Sequence, residues 1–179
     1  MKKQLLKKLK KIKLVIFDVD GVLTDGKIVI GSDKTEYKNF NVRDGTGVTL
    51  GNYAGLIFAI ISGRYSEVIS IRAKELGIKY VYQDVIEKIK AYEHLKKRVG
   101  LKDEEICFLG DEIIDIPIME KCGFSAAPRD CIKEIKPYAD YICRNKGGEG
   151  CAREVIDLII KARGLWKKTL SLYLRRHEK

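Results

Sequence analysis

The sequence predicts an α/β protein, a three-layer α/β/α sandwich on a mostly parallel sheet with one β-hairpin projecting from it. Three observations carry that expectation. Short, wholly apolar runs recur along the chain, as in strands buried on both faces of a parallel sheet. Helical patterns fill most of the intervals, and strands that alternate with helices build an open sheet covered on both sides. One interval departs from this, with β-formers alternating around a turn. The 179 residues, 45% hydrophobic, fit a single domain over 1–179, since no linker-like stretch or internal repeat marks a second.

In chain order, residues 1–13 (MKKQLLKKLKKIK) place Leu5, Leu9 and Ile12 at helical spacing. A basic, solvated helix leading into the first strand is expected there, and a helix that touches a membrane or RNA is the alternative. Strands are expected at 14–17 (LVIF), 56–61 (LIFAII), 80–82 (YVY), 106–109 (ICFL), 124–127 (FSAA) and 141–143 (YIC), and helices at 45–53, 66–76, 86–98, 113–121 and 151–163. Residues 27–40, KIVIGSDKTEYKNF, alternate around Gly31-Ser32-Asp33 and read as the hairpin.

A net charge of +10 raises nucleic acid as a partner class, but the distribution of the charge argues against it. Residues 1–13 carry seven lysines and no acid, residues 161–179 carry seven basic side chains against Glu178, and residues 14–160 sum to −3. The apolar run before Asp18 is four residues long, too short for a signal peptide or a membrane span, so neither nucleic acid nor membrane is an expected partner. Five cysteines, odd in number and without a CxxC pair, point to reduced thiols in a cytoplasm rather than a disulfide frame or zinc site.

The residues suited to chemistry fall at the carboxyl ends of the expected strands, where open α/β sheets bind ligands. The first strand runs into Asp18-Val19-Asp20-Gly21, the second into Ser62-Gly63-Arg64, and the fourth into Gly110-Asp111, with Asp115 a turn later. Lys88 lies at the start of the helix after the third. An aspartate after a strand is often only a cap or turn former. A set drawn together from up to 97 positions apart needs another reason.

Converging carboxylates repel unless a cation joins them, and they suit a hard divalent ion such as Mg2+, which takes one or two carboxylates, waters and a substrate phosphate. With Mg2+ and Lys88 neutralising a phosphoryl group, and Ser62 and the Gly63 N–H donating to its oxygens, phosphoryl transfer is the reaction this set favours. One aspartate can attack phosphorus and form an acyl-phosphate. A second can protonate the leaving alkoxide and later take a proton from the attacking water.

The stretches DVDGVLTDG (18–26), ISGR (61–64), Lys88 and GDEIID (110–115) resemble, in order, the four motifs of the haloacid dehalogenase superfamily of phosphatases. The hairpin after TDG, KNFNVRDGTGV (38–48), Tyr82-Gln83, GDEIIDIPIM (110–119) and GGEGCAREVIDLII (147–160) are similar to its small capless phosphatases of 3-deoxy-D-manno-octulosonate 8-phosphate, over about residues 12–163. The resemblance implies a Rossmann-like core without a cap domain and a Mg2+-dependent hydrolysis of that sugar acid phosphate in lipopolysaccharide precursor synthesis. It makes Asp18 the nucleophile and a metal ligand. Asp20 becomes the acid/base, ligating through its backbone carbonyl, and Asp111 completes the protein ligands. Ser62, Gly63 and Lys88 would hold phosphate, and Asp115 would orient metal waters or Lys88 from behind. Arg64 can meet the sugar carboxylate in bidentate fashion; for it and for Arg72, the other substrate-binding candidate, a surface helix arginine is the alternative.

One position departs from the pattern. Relatives acting on eight-carbon sugar acids often read GGRG near the C-terminus, and Glu149 occupies that slot here, as in homologues acting on nine-carbon sialic-type acids. Arg64, which those homologues tend to lack, favours the eight-carbon substrate. Presence of both Asp18 and Asp20 argues against a non-catalytic sugar-phosphate-binding homologue. Superfamily lids are inserted in two places, and neither has room: 23 residues separate Asp20 from Asp44, and 25 separate Ser62 from Lys88. Walls from neighbouring subunits are therefore expected, in a homotetramer whose hairpins pair edge to edge and in which the Gly147–Gly150 segment or the tail 164–179 reaches a neighbour's site.

Overall fold

A computed structural model describes residues 3–175; the expected ends at 1–2 and 176–179 lie outside the described residues. The strands are β1 (Leu14–Phe17), β2 (Val29–Ile30), β3 (Glu36–Tyr37), β4 (Ile57–Ile61), β5 (Tyr80–Tyr82), β6 (Ile106–Leu109), β7 (Phe124–Ala127) and β8 (Tyr141–Ile142). The helices are α1 (Lys3–Lys11), α2 (Val42–Tyr53), α3 (Glu67–Glu75), α4 (Lys88–Val99), α5 (Ile116–Met119), α6 (Cys151–Ala162) and α7 (Trp166–Arg175). Six strands form one sheet in the order β5-β4-β1-β6-β7-β8, all parallel. β2 and β3 pair antiparallel as the separate hairpin, Val29 opposite Tyr37.

Because side chains alternate across a strand, β1 feeds two cores. Val15 and Phe17 pack with Val48 of α2, Ile69 of α3 and Ile156 of α6 on one face. Leu14 and Ile16 pack with Tyr92 and Leu95 of α4 and Ile118 of α5 on the other. Burial on both faces is why every residue of β1, β6 and β7 is buried. β1 is also the place where the topology turns, with β4 and β5 on one side and β6 to β8 on the other. Loops after β1, β4 and β6 therefore diverge and leave a crevice at the carboxyl edge.

Three elements differ from their expected form. α1 is no solvated leader: Leu9 and Ile12 are fully buried, and Leu5 and Leu6 pack on the core beside α6 while its lysines stay outside. α2 starts at Val42, three residues early, because the Asn41 side chain caps it by accepting from the Arg43 N–H at 2.8 Å. The helix expected over 113–121 is a 3-10 turn at Ile113–Asp115 followed by the short α5. The Asp115 carboxylate accepts from the N–H groups of Asp111 and Glu112, which winds the chain tightly around it. The tail forms α7, which packs on the chain's own α2 with Thr169 buried.

Candidate active site

The strand ladders run one residue past their ends and so deliver the site. Asp18 N–H donates to Leu109 O at 2.9 Å, Ser62 N–H to Tyr82 O at 2.9 Å and Gly110 N–H to Ala126 O at 3.2 Å. Seven of the nine expected site residues, Asp18, Asp20, Ser62, Gly63, Arg64, Lys88 and Asp111, line one open cleft of about 250 Å³. Asp115 is fully buried next to it. Arg72 is elsewhere: on α3, its guanidinium lies 5.9 Å from the Phe40 ring centroid and pairs with Glu75 at 2.9 Å.

The floor of the cleft is made of acids around one ammonium. Lys88 Nζ lies 2.9 Å from Asp18 Oδ2 and 2.7 Å from Asp115 Oδ1. Asp115 Oδ2 takes the Asp111 and Glu112 N–H groups at 2.9 and 3.2 Å, so both of its oxygens are engaged. Asp111 differs, since its Oδ1 is buried with no hydrogen-bond partner. One oxygen each of Asp18, Asp111 and Asp115 lies within 4.8 Å of the others. Burial, reinforced by Asp115, pushes the Asp18 carboxyl up to about 6. Burial, reinforced by Asp18 and Asp115, pushes Asp111 up to about 8. Desolvation alone would lower the Lys88 pKa, but the two aspartates outweigh it and hold it above the ordinary lysine value.

The turn that carries Asp18 and Asp20 needs close backbone approach. Gly21 has φ +88°, and a Cβ there would overlap the Asp111 carboxylate. From behind, Gly147 is pressed on the Gly21 carbonyl so that a Cβ would overlap it, and the Gly148 N–H donates to Val22 O at 3.0 Å.

Across the cleft the rim belongs to the hairpin. Lys38 Nζ sits 2.5 Å from Asp20 Oδ1 and 3.4 Å from Glu36 Oε1. Arg64 Nη2 donates to Glu36 Oε1 at 3.2 Å, and its Nη1 lies 3.7 Å from Asp20 Oδ2. Neither Glu36 nor Lys38 was among the expected site residues. The signal was a period of two, which turns 36 and 38 to one side and leaves Tyr37 exposed on the other. The sequence marks Gln83 only as part of the Tyr82-Gln83 pattern. Its Oε1 accepts the Ser66 N–H at 2.8 Å and its Nε2 donates to Ser70 Oγ at 2.8 Å, which ties the start of α3, and the loop 62–66 before it, to the end of β5.

A larger cavity, about 610 Å³, is lined by Arg43, Arg144, Glu149, Arg153 and Glu154. Within it Arg153 pairs with Asp157 at 2.7 Å, and Glu154 accepts from the Tyr141 hydroxyl and the Arg144 backbone N–H. No described helix is long and apolar enough to cross a membrane.

Residues 52–155 match the model of the haloacid dehalogenase-like hydrolases. The 3-deoxy-D-manno-octulosonate 8-phosphate phosphatase KdsC of Escherichia coli K12 is 41% identical over 157 residues, 88% of this chain and 84% of the relative. The crystal structure of the Moraxella catarrhalis phosphatase of the same name, in complex with magnesium, phosphate and KDO, superposes with a TM-score of 0.93 at 35% identity, covering 97% of this chain and 99% of that one. The Yersinia pestis phosphatase does so with a TM-score of 0.91 at 38% identity, over 92% and 89%. With a parallel sheet of this order and its acidic cleft in agreement, the chain belongs to the haloacid dehalogenase-like hydrolases and, within them, to the 3-deoxy-D-manno-octulosonate 8-phosphate phosphatase family.

Proposed function

We propose that this chain, as a single domain with its core over about 12–163, is a Mg2+-dependent phosphatase that hydrolyses 3-deoxy-D-manno-octulosonate 8-phosphate to the free sugar acid and phosphate. The observation that carries the reading is the unbalanced floor: three aspartates face one ammonium, and Asp111 Oδ1 is buried without a partner. Such a donor set fits a hard divalent ion, and Asp115, with both oxygens engaged, is the member that does not need it. The Asp18 and Asp111 side chains and the Asp20 carbonyl would hold Mg2+, which supplies charge neutralisation for the phosphoryl oxygens.

Ser62, the Gly63 N–H and Lys88 bind those oxygens against Asp18. The Asp18 carboxylate attacks phosphorus, the bond from phosphorus to the sugar oxygen breaks, and Asp20 gives that oxygen a proton. Water then attacks the aspartyl-phosphate while Asp20 takes its proton, which frees phosphate and restores Asp18. Asp115 fixes Lys88 and the 111–112 turn. Arg64, half held by Glu36, meets the sugar carboxylate. The names of the relatives and the KDO bound in the Moraxella structure support the eight-carbon substrate. The nine-carbon reading rests on Glu149, which lines the larger cavity and not the cleft of its own chain.

The assembly belongs to the same reading. Ile30 (opposite Glu36) and Tyr37 of the hairpin, Tyr65 and Ile113 are exposed apolar side chains next to the residues that line the cleft or pair with them, and such a collar marks an interaction surface. Gly147 and Gly148 are packed within their own chain, whereas α7 packs on α2 by one side and exposes Leu170, Leu172 and Leu174, so the hairpin and the tail helix are the surfaces offered to neighbours in a homotetramer. Five buried, unpaired cysteines accord with a cytoplasmic enzyme. Phosphate release across a panel of eight- and nine-carbon sugar acid phosphates and neutral esters, with Mg2+ present, tests the activity; release from none would end the reading. Light scattering tests the assembly, and a mass that stays near 20.4 kDa at all concentrations would rule out the tetramer.

A further inference from the structure

Lys38 lies at the end of a hairpin that is mostly in solvent, yet its side chain is 1% exposed. An ammonium removed from water is costly unless it is paired, and the hairpin does not need one, since β2 and β3 pair through their backbones. The cost is offset at one place. Lys38 Nζ makes the shortest contact of the Asp20 carboxylate, 2.5 Å, against 3.5 Å from Thr24 Oγ1 and 3.7 Å from Arg64. Glu36, the second carboxylate beside Lys38, is also held by Arg64. Asp20 and Glu36 would repel without the cation between them, and Asp20 would be free to swing toward Arg64.

We infer that Lys38 is a positioning residue: it holds the Asp20 carboxylate where a proton can pass to the leaving sugar oxygen and later be taken from water. The inference rests on the phosphatase reading above. No described ion pair joins Lys38 to the Lys88 cluster on the floor, so its loss leaves the nucleophile and phosphate site in place and is felt first at Asp20, 2.5 Å away, ahead of Glu36 at 3.4 Å. As the bond between Asp18 and phosphorus forms and the ester bond breaks, the Asp20 proton goes to the departing oxygen. An ester whose leaving group is stable as an anion has little use for that proton.

The test compares kcat/KM, which reports the steps up to transfer onto Asp18, for 3-deoxy-D-manno-octulosonate 8-phosphate and p-nitrophenyl phosphate. Wild-type protein comes first: release from neither ester would overturn the phosphatase reading itself, before Lys38 is judged. Lys38→Met is expected to lose about 100-fold on the sugar ester, the scale of a misplaced catalytic group, and less than about 5-fold on the aryl ester, with Lys38→Arg recovering most of the loss. In an Asp20→Asn background, Lys38→Met should cost nothing further. That pair is neutral on both sides, so it reads the coupling even if Lys38→Met alone fails to fold. Equal losses on both esters, or a further loss of the same size in the Asp20→Asn background, would overturn the inference.

Discussion

The floor and the rim of the cleft are both built from acids and bases, but their charges sum differently. On the floor Asp18, Asp111 and Asp115 surround Lys88 alone, and two of the acids are pushed toward neutrality by burial and by each other. On the rim Asp20 and Glu36 meet Lys38 and Arg64, two charges against two. The floor thus lacks a cation, whereas the rim is balanced in charge and leaves only the Arg64 Nη1 donor without a hydrogen-bond partner. A strongly buried cluster with missing positive charge is a place for chemistry on phosphate. A balanced, partly open one is a place for orienting groups.

The comparison breaks first at Asp18. Asp18→Asn should reduce phosphate release by about 10⁴-fold or more, since water does not replace a lost nucleophile. Asp20→Asn on the rim should cost less, about 10²–10⁴-fold, and should let phosphorylated Asp18 accumulate in a rapid quench. Wild-type rates in Asp18→Asn would remove the floor from the mechanism.

Metal removal sharpens the contrast next. EDTA should stop turnover and Mg2+ restore it. Stability should follow with a definite sign. In the metal-free protein Asp18 and Asp111 are raised from 3.8 to about 6 and about 8, so between about pH 4 and pH 8 the folded state retains protons that the unfolded chain has released. Stability is then fully present below about pH 4 and is lost as pH rises through those values. The Tm in EDTA should fall from pH 5 to pH 8, and Mg2+ should abolish the fall. A Tm with the same pH slope in both conditions would mean that these carboxyls bind no cation.

Two arginines give the smaller effects. Arg64→Ala should raise KM for the sugar acid phosphate by about 10- to 100-fold, as expected for a charge-assisted bond, and change KM for a neutral ester little. Equal effects would assign Arg64 to phosphate or packing. Arg72→Ala, outside the cleft, should shift either KM by about twofold at most, and a larger, acid-selective change would return it to the substrate site.

Most of the floor was legible in the sequence because a parallel sheet writes itself as uninterrupted apolar runs. LVIF, ICFL and FSAA give their strands to the residue, and Asp18, Ser62 and Asp111 follow from where the runs stop. The rim was not legible to the same degree. Glu36 and Lys38 resemble any solvated pair on a short strand until the fold turns their side of the hairpin to Asp20 and Arg64. α1 misled for a related reason: seven lysines outweigh Leu5, Leu9 and Ile12 in any average over 1–13, while burial depends only on the stripe they form. Arg72 lies outside the cleft of its own chain, because motif position does not tell which way a helix presents a side chain. Its cation lies over Phe40 instead.

Gly147 and Gly148, seated on the turn that carries Asp18 and Asp20, set the order in which the enzyme can come into being. The turn is synthesised before them. Its support, which also brings the Cys151 thiol 3.2 Å from Val22 O, arrives more than a hundred residues later. A nascent chain that has reached residue 140 already carries all nine expected site residues, yet nothing holds the turn from behind. Contacts of such long separation form late, so catalytic competence waits until the 147–148 segment has joined the fold, when every strand of the sheet around the site is already in the chain.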